Sequence, residues 1–77
     1  MMIYEFYRNS KTAKQISLTD GKPEYVTEYN KSGIRVKDTY FYEDESIERL
    51  CEYYGSGKKK KETYYYKDGV EKYFYEF

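Results

Sequence analysis

The side chains of this chain that could do chemistry are carboxylates, lysines, phenols and one thiol, because its 77 residues include no histidine. Imidazole is the usual general base near neutral pH and the commonest metal ligand, so its absence removes the ordinary zinc sites and most nucleophile–base pairs. The single cysteine, Cys51, lies between Leu50 and Glu52. Neither neighbour would lower its pKa, so it reads as a small hydrophobe rather than a nucleophile, with no second thiol to bridge. A lone free thiol suits a reducing compartment, and the cytoplasm is the expected location. No glycine-rich phosphate loop is present. Acids are plentiful, but Glu5, Glu28, Glu52 and Glu76 recur at intervals of 23, 24 and 24 residues. A column that recurs in this way is expected to face lysines across strands rather than to act as a general acid or a metal cluster. No catalytic, cofactor-binding or metal residue is assigned, and the chain is not expected to be an enzyme.

A sharper feature is the run Lys58, Lys59, Lys60 and Lys61 just before Tyr64, Tyr65 and Tyr66. Lysines that track a backbone beside rings that stack bases are the ingredients of a single-stranded nucleic-acid platform. The plainer reading sends alternate lysines to opposite faces of a solvated strand, where they guard against aggregation. Whole-chain charge favours the plainer one, since fourteen Lys and Arg balance fourteen Asp and Glu.

The elements that must carry these residues show as an internal repeat. Residues 28–51 align without a gap on 52–75, with nine identities: Glu28/Glu52, Tyr29/Tyr53, Ser32/Ser56, Gly33/Gly57, Lys37/Lys61, Thr39/Thr63, Tyr40/Tyr64, Tyr42/Tyr66 and Asp44/Asp68. An earlier copy at 5–27 fits with one deletion, and Glu76-Phe77 open a fourth. Each copy holds two strand-like runs separated by turn chemistry: NSK, DGKP, NKSG, EDES, GSG and KDG. Asp20, Asp44 and Asp68 read as turn formers. The runs are Ile3–Arg8, Thr12–Thr19, Glu24–Asn30, Ile34–Tyr42, Ile47–Tyr54, Lys58–Tyr66 and Val70–Phe77. Short loops make neighbours antiparallel, so the prediction is an all-β meander of about seven strands in one domain, 1–77, built from three hairpin repeats. One stretch competes. DESIERLCEYYG places Ile47, Leu50, Cys51 and Tyr54 at helical spacing, as a short helix over 44–54 would. Its counterparts EYVTEY and KYFYEF are rich in β-formers, which favours a strand there.

Composition says what kind of sheet this is. Aromatic residues make up 22% of the chain, thirteen of them tyrosine, against two leucines, four isoleucines and three valines. So little aliphatic volume cannot fill a dry interior between two sheets. A single twisted layer is expected, with tyrosine rings stacked across strands and lysine and glutamate stems laid over the rings. The opening MMIYEFYRNS has neither a basic segment nor an apolar one, and no run is long enough to span a membrane as a helix, so neither a leader nor a membrane partner is expected.

The repeat frame, with its S-G turn, K-x-T-Y-x-Y strand and D-G turn, resembles the MORN-like hairpin repeats of bacterial YwqK-family antitoxins. A weaker likeness, through EYNKSGIRVK, is to Rhs/YD repeats. Glycines are sparser here than in that pattern, and EDES stands where the second copy would carry its D-G turn. The resemblance implies a β-repeat interaction protein and defines no catalytic residue.

Tyrosine offers contact area at low entropic cost, and binding surfaces overuse it. The leading expectation is therefore a small intracellular bacterial or phage protein. It would bind and block an effector or toxin, such as a nuclease, as an antitoxin or an anti-defence inhibitor does. Its partner-binding residues are expected to be Tyr64, Tyr65, Tyr66, Tyr73, Phe74, Tyr75 and Phe77. Dimerisation through an edge strand is a further expectation. Single-stranded nucleic-acid binding by Lys58–Lys61 is the alternative from another class.

Overall fold

A computed structural model describes all 77 residues, Met1–Phe77. Seven strands follow one another: β1 (Met2–Phe6), β2 (Thr12–Thr19), β3 (Lys22–Tyr29), β4 (Arg35–Phe41), β5 (Ile47–Tyr53), β6 (Lys59–Tyr65) and β7 (Glu71–Glu76). They pair antiparallel in chain order, so sequence neighbours are space neighbours throughout. β1 and β7 do not pair with each other, and the sheet is open. Its principal dimensions are 38 × 34 × 13 Å, the shape of a plate one strand layer thick. There is no helix, and the 44–54 stretch is strand β5. Its helical spacing is overridden because both edges of the segment are claimed by the ladders to β4 and β6.

Turn chemistry sets this register. Five of the six connections share one geometry. The first residue of the turn accepts from the amide three residues on and donates to the carbonyl four residues on, starting at Tyr7, Asn30, Tyr42, Tyr54 and Tyr66. The last four of these starts are spaced by twelve residues. Such three-residue hairpin loops need a left-handed residue in third place. Gly33, Gly57 and Gly69 supply it, but so do Ser10 (φ 69°) and Glu45 (φ 70°). The carboxylate of Asp44 accepts from the Ser46 amide, and that of Asp68 from the Val70 amide. The β2–β3 connection differs. Asp20 and Gly21, at φ 53° and 78°, make a two-residue turn between Thr19 and Lys22. That shorter turn explains the single deletion in the first repeat. It also moves Lys22 and Pro23 from the expected loop into β3, where Pro23 sits at a register slip opposite Leu18. Proline is tolerated at such a slip because the ladder is already interrupted there.

Every hairpin carries a slip of this kind, between Glu5/Phe6, Ser17/Leu18, Glu28/Tyr29, Tyr40/Phe41, Glu52/Tyr53 and Tyr64/Tyr65. Each leaves one extra residue in the second strand (Val36 and Lys60 are two of them). Bulges add right-handed twist and re-aim the side chains beside them.

Strand alternation then gives the plate two distinct faces. On the first runs a row that crosses all seven strands as Glu5, Lys14, Glu28, Lys37, Glu52, Lys61 and Glu76. Acid and base alternate without exception, which is the pairing expected for the recurring glutamates. Beside it lies a second row: Ile3, Ile16, Val26, Thr39, Leu50, Thr63 and Phe74. The opposite face carries a polar row through Gln15, Thr27, Asp38, Cys51 and Glu62, and next to it a row of rings.

Only five residues are buried, Thr27, Asp38, Thr39, Cys51 and Thr63, and no large side chain is among them, so no conventional apolar core exists. The centre of the plate is a strip of small and polar groups beneath longer side chains. The exposed surface of 5475 Å² is only slightly above the roughly 5,000 Å² usual for a globular chain of this mass. Rings and stems thus cover the thin layer almost as well as a second layer would.

Candidate protein-binding surface

The ring row is built by register. Tyr25, Tyr40, Arg49, Tyr64 and Tyr73 are successive partners on β3 to β7. Tyr25 and Tyr40 lie 6.0 Å apart between centroids. Arg49 bridges the next gap, its guanidinium 4.1 Å from the Tyr40 ring and 5.9 Å from the Tyr64 ring. Tyr64 stacks on Tyr73 at 4.8 Å, and Tyr75 meets both edge-on at 6.3 and 5.6 Å. A planar cation between two electron-rich faces continues the stack where a ring is missing. The row is half-buried over β3, β4 and β6 and emerges at β7, where Tyr73, Tyr75 and Phe77 are 43%, 54% and 63% exposed.

Beneath the row lies a repeated anchor. Tyr29 donates its hydroxyl to the side-chain oxygen of Gln15 at 3.2 Å, and Tyr53 donates to Asp38 at 3.0 Å. Arg35 joins the second pair, 3.5 Å from the Asp38 carboxylate and 4.8 Å from the Tyr53 ring. In the third copy Phe77 replaces the tyrosine and has no hydroxyl to give. Glu62 is served instead by the Cys51 thiol at 3.3 Å and by Lys59 at 3.5 Å, while Lys59 also lies over the Phe77 ring at 5.3 Å. Arg35 and Lys59 reach across to these acids because the bulge after each of them shifts their side chains to the acid face.

The titration of these groups follows. Burial, then the bond to Asp38, pushes the Tyr53 phenol up to about 12. Burial, then the Glu62 carboxylate, pushes the Cys51 thiol up to about 11. Burial alone would raise Glu62, but the Cys51 and Lys59 contacts outweigh it and hold the carboxyl below its ordinary value. Cys51 is therefore a protonated, buried donor with no nucleophilic character near neutral pH.

The residues singled out from the sequence are divided between the two faces. Tyr64, Tyr73, Tyr75 and Phe77 share the ring face. Tyr65 and Phe74 point to the charged face by alternation, and Tyr66 opens the β6–β7 turn with Lys72 above its ring at 5.4 Å. The seven residues expected to bind a partner thus divide into four on the ring face, two on the reverse and Tyr66 at the turn. The four lysines separate as well. Lys58 closes a turn through its carbonyl, and Lys59 is held on the ring face. Lys60 occupies a bulge 5.8 Å from the Tyr54 ring. Lys61 lies on the charged face, 4.6 Å from the Phe74 ring. No contiguous cationic track results.

Asp38 is the residue that inspection of the sequence passed over. Its signal was there: both later copies carry an acid between the lysine and the threonine of K-x-T-Y, as Asp38 and Glu62. Two further tyrosines brace the sheet rather than its surface. Tyr7 donates to the Tyr29 carbonyl at 2.6 Å and Tyr42 to the Tyr65 carbonyl at 2.7 Å, each skipping one strand. No three acid or cysteine side chains converge as metal ligands would. The two surface depressions, one beside the Asp20 turn and one between Glu52 and Phe77, are shallow and open.

Comparison of the chain with protein-family models, with curated proteins and with solved structures finds no match.

Proposed function

We propose that this chain is a small intracellular protein-binding module of antitoxin or inhibitor type. It acts by covering a surface of an effector protein such as a nuclease. The observation that carries the reading is the ring-face cluster: Tyr64, Tyr73 and Tyr75 pack face-on and edge-on at 4.8–6.3 Å, Phe77 lies under Lys59 beside them, and Tyr73, Tyr75 and Phe77 are exposed at the margin of the plate. A pre-ordered aromatic patch binds without the ordering cost of flexible contacts. The resemblance of the repeat frame to YwqK-family antitoxins supplies the class. Nucleic-acid binding draws no support from the geometry, because Lys59 and Lys61 lie on opposite faces, Lys58 sits at a turn, and Lys59, Lys60 and Lys61 each lie over a ring of their own sheet.

The test is affinity capture from the native host by the wild-type chain and by a Tyr73→Ser/Tyr75→Ser variant. Neighbouring gene products are then assayed with and without the purified chain. One protein retained by wild type, lost with the variant and inhibited on binding supports the reading. Retention of RNA or DNA instead, abolished by Lys59→Glu/Lys61→Glu, overturns it.

A further inference from the structure

The row of alternating charge has a polarity that bears on what the plate can dock. Odd strands contribute glutamate and even strands lysine, and both outer strands are odd. Each edge therefore ends in an acid, Glu5 on β1 and Glu76 on β7, with no base beyond it. A second copy that extended the row through either edge would set glutamate against glutamate, which is unfavourable directly across a ladder. A strand carrying lysine or arginine at that position would complete the alternation.

The two edges are not equivalent. Met1 and Leu18 exchange both backbone hydrogen bonds, at 3.0 and 2.8 Å. By antiparallel alternation Ile3 and Glu5 also face β2, so Met2, Tyr4 and Phe6 offer the free backbone groups on β1. On β7 the amide of Phe77 donates to the Lys60 carbonyl at 3.1 Å. Tyr75 and Tyr73 therefore face β6, and the backbone groups of Phe74 and Glu76 point away from the sheet. Only on β7 do the free backbone groups belong to the residues of the charged and apolar rows. Phe74, 47% exposed, ends a row whose previous members are Leu50 and Thr63, large and small in turn.

We infer that the β7 edge accepts an extended segment of a partner protein as an eighth antiparallel strand. That segment carries a basic residue opposite Glu76 and, two residues later, a small β-branched residue opposite Phe74. An aromatic residue follows, beside Tyr73. The chain already shows this pairing internally: Lys61, Thr63 and Tyr64 of β6 oppose Glu76, Phe74 and Tyr73 on the other side of β7. The inference rests on the protein-binding reading and assigns it a place and a sequence chemistry. A second copy that continued the row would set glutamate against glutamate, because the strands that give the row its lysines, β2, β4 and β6, are all internal.

The probe is a capped peptide with the sequence of residues 35–42, RVKDTYFY, titrated into the full-length protein, beside a version with its lysine changed to glutamate. Saturable binding of the first is expected, about tenfold weaker for the second, and the preference should reverse with Glu76→Lys. On binding, the amides of Phe74 and Glu76 should become protected from hydrogen exchange. Equal binding of both peptides, no binding of either, or protection at Met2 and Tyr4 instead overturns the inference. So does a dimer of the free protein that Glu76→Lys leaves intact. If the inhibited partner is still captured by Glu76→Lys at full strength, the edge is wrong while the protein-binding reading stands.

Discussion

Tyr53 on β5 donates its hydroxyl to the carboxylate of Asp38 on β4 at 3.0 Å, and Asp38, only 3% exposed, is among the most buried residues of the chain. A plate this thin has no interior in which to hide a charge. It hides this one under a phenol ring and a guanidinium, and the same arrangement is repeated with altered chemistry in the flanking copies. The anchor fixes Tyr53 beneath the ring row, and the proposed binding role draws on such pre-ordering.

Removing that hydroxyl should therefore cost more than removing its counterpart. Tyr53→Phe leaves a buried carboxylate one donor short and is expected to destabilise by about 1–3 kcal/mol, whereas Tyr29→Phe, facing neutral Gln15, should cost about 1 kcal/mol or less. Urea denaturation of the two variants at neutral pH checks the order.

Alkaline pH should erode the same anchor. Both Tyr53 and Cys51 titrate above their ordinary values of 10.0 and 9.0, at about 12 and about 11. The fold favours their protonated forms, so their contribution is complete below pH 9 and is lost as pH rises toward 12. The urea midpoint should fall across that window. In Tyr53→Phe/Cys51→Ala it should start lower and fall less steeply.

Glu45 holds φ 70° at the turn position that Gly69 fills two strands later. A left-handed backbone costs a residue with a Cβ roughly 1–2 kcal/mol. Allowing for the extra freedom glycine has when unfolded, Glu45→Gly should stabilise the chain by about 1 kcal/mol. Gly69→Ala should destabilise it by a similar amount, with thermal melts as the readout.

The charge row should respond as a unit. Lys37 faces Glu28 at 3.9 Å on one side and has Glu52 as its ladder partner on the other. Lys37→Glu places three acids in succession and is expected to cost about 1–2 kcal/mol. Added salt should recover part of that loss, since the row is half-exposed to solvent.

The meander and its turns were legible because their signals are local: Asp20-Gly21, Ser32-Gly33, Ser56-Gly57 and Asp68-Gly69 each mark a reversal, and short reversals force antiparallel neighbours. The Glu45 turn was less legible, since a left-handed glutamate has no sequence signature. The helical spacing of Ile47, Leu50, Cys51 and Tyr54 was a true local pattern that two neighbouring ladders overruled. The Tyr53–Asp38 anchor stayed hidden for a different reason. It joins β4 and β5, whose relative register depends on the bulge that leaves Glu48 unpaired, and no single strand displays that. The same slips and the alternation of faces divided the aromatic residues of β6 and β7, which look like one patch when read along the chain.

All of this depends on a single open layer whose outer strands are free. Amide hydrogen exchange on the isolated protein tests that most directly. Slow exchange at Thr39, Cys51 and Thr63, together with near-unprotected rates at Phe74 and Glu76 on one margin and Met2 and Tyr4 on the other, is the expected pattern. Strong protection of Phe74 and Glu76 in the absence of any partner would mean that the edge is already closed, and would contradict the account.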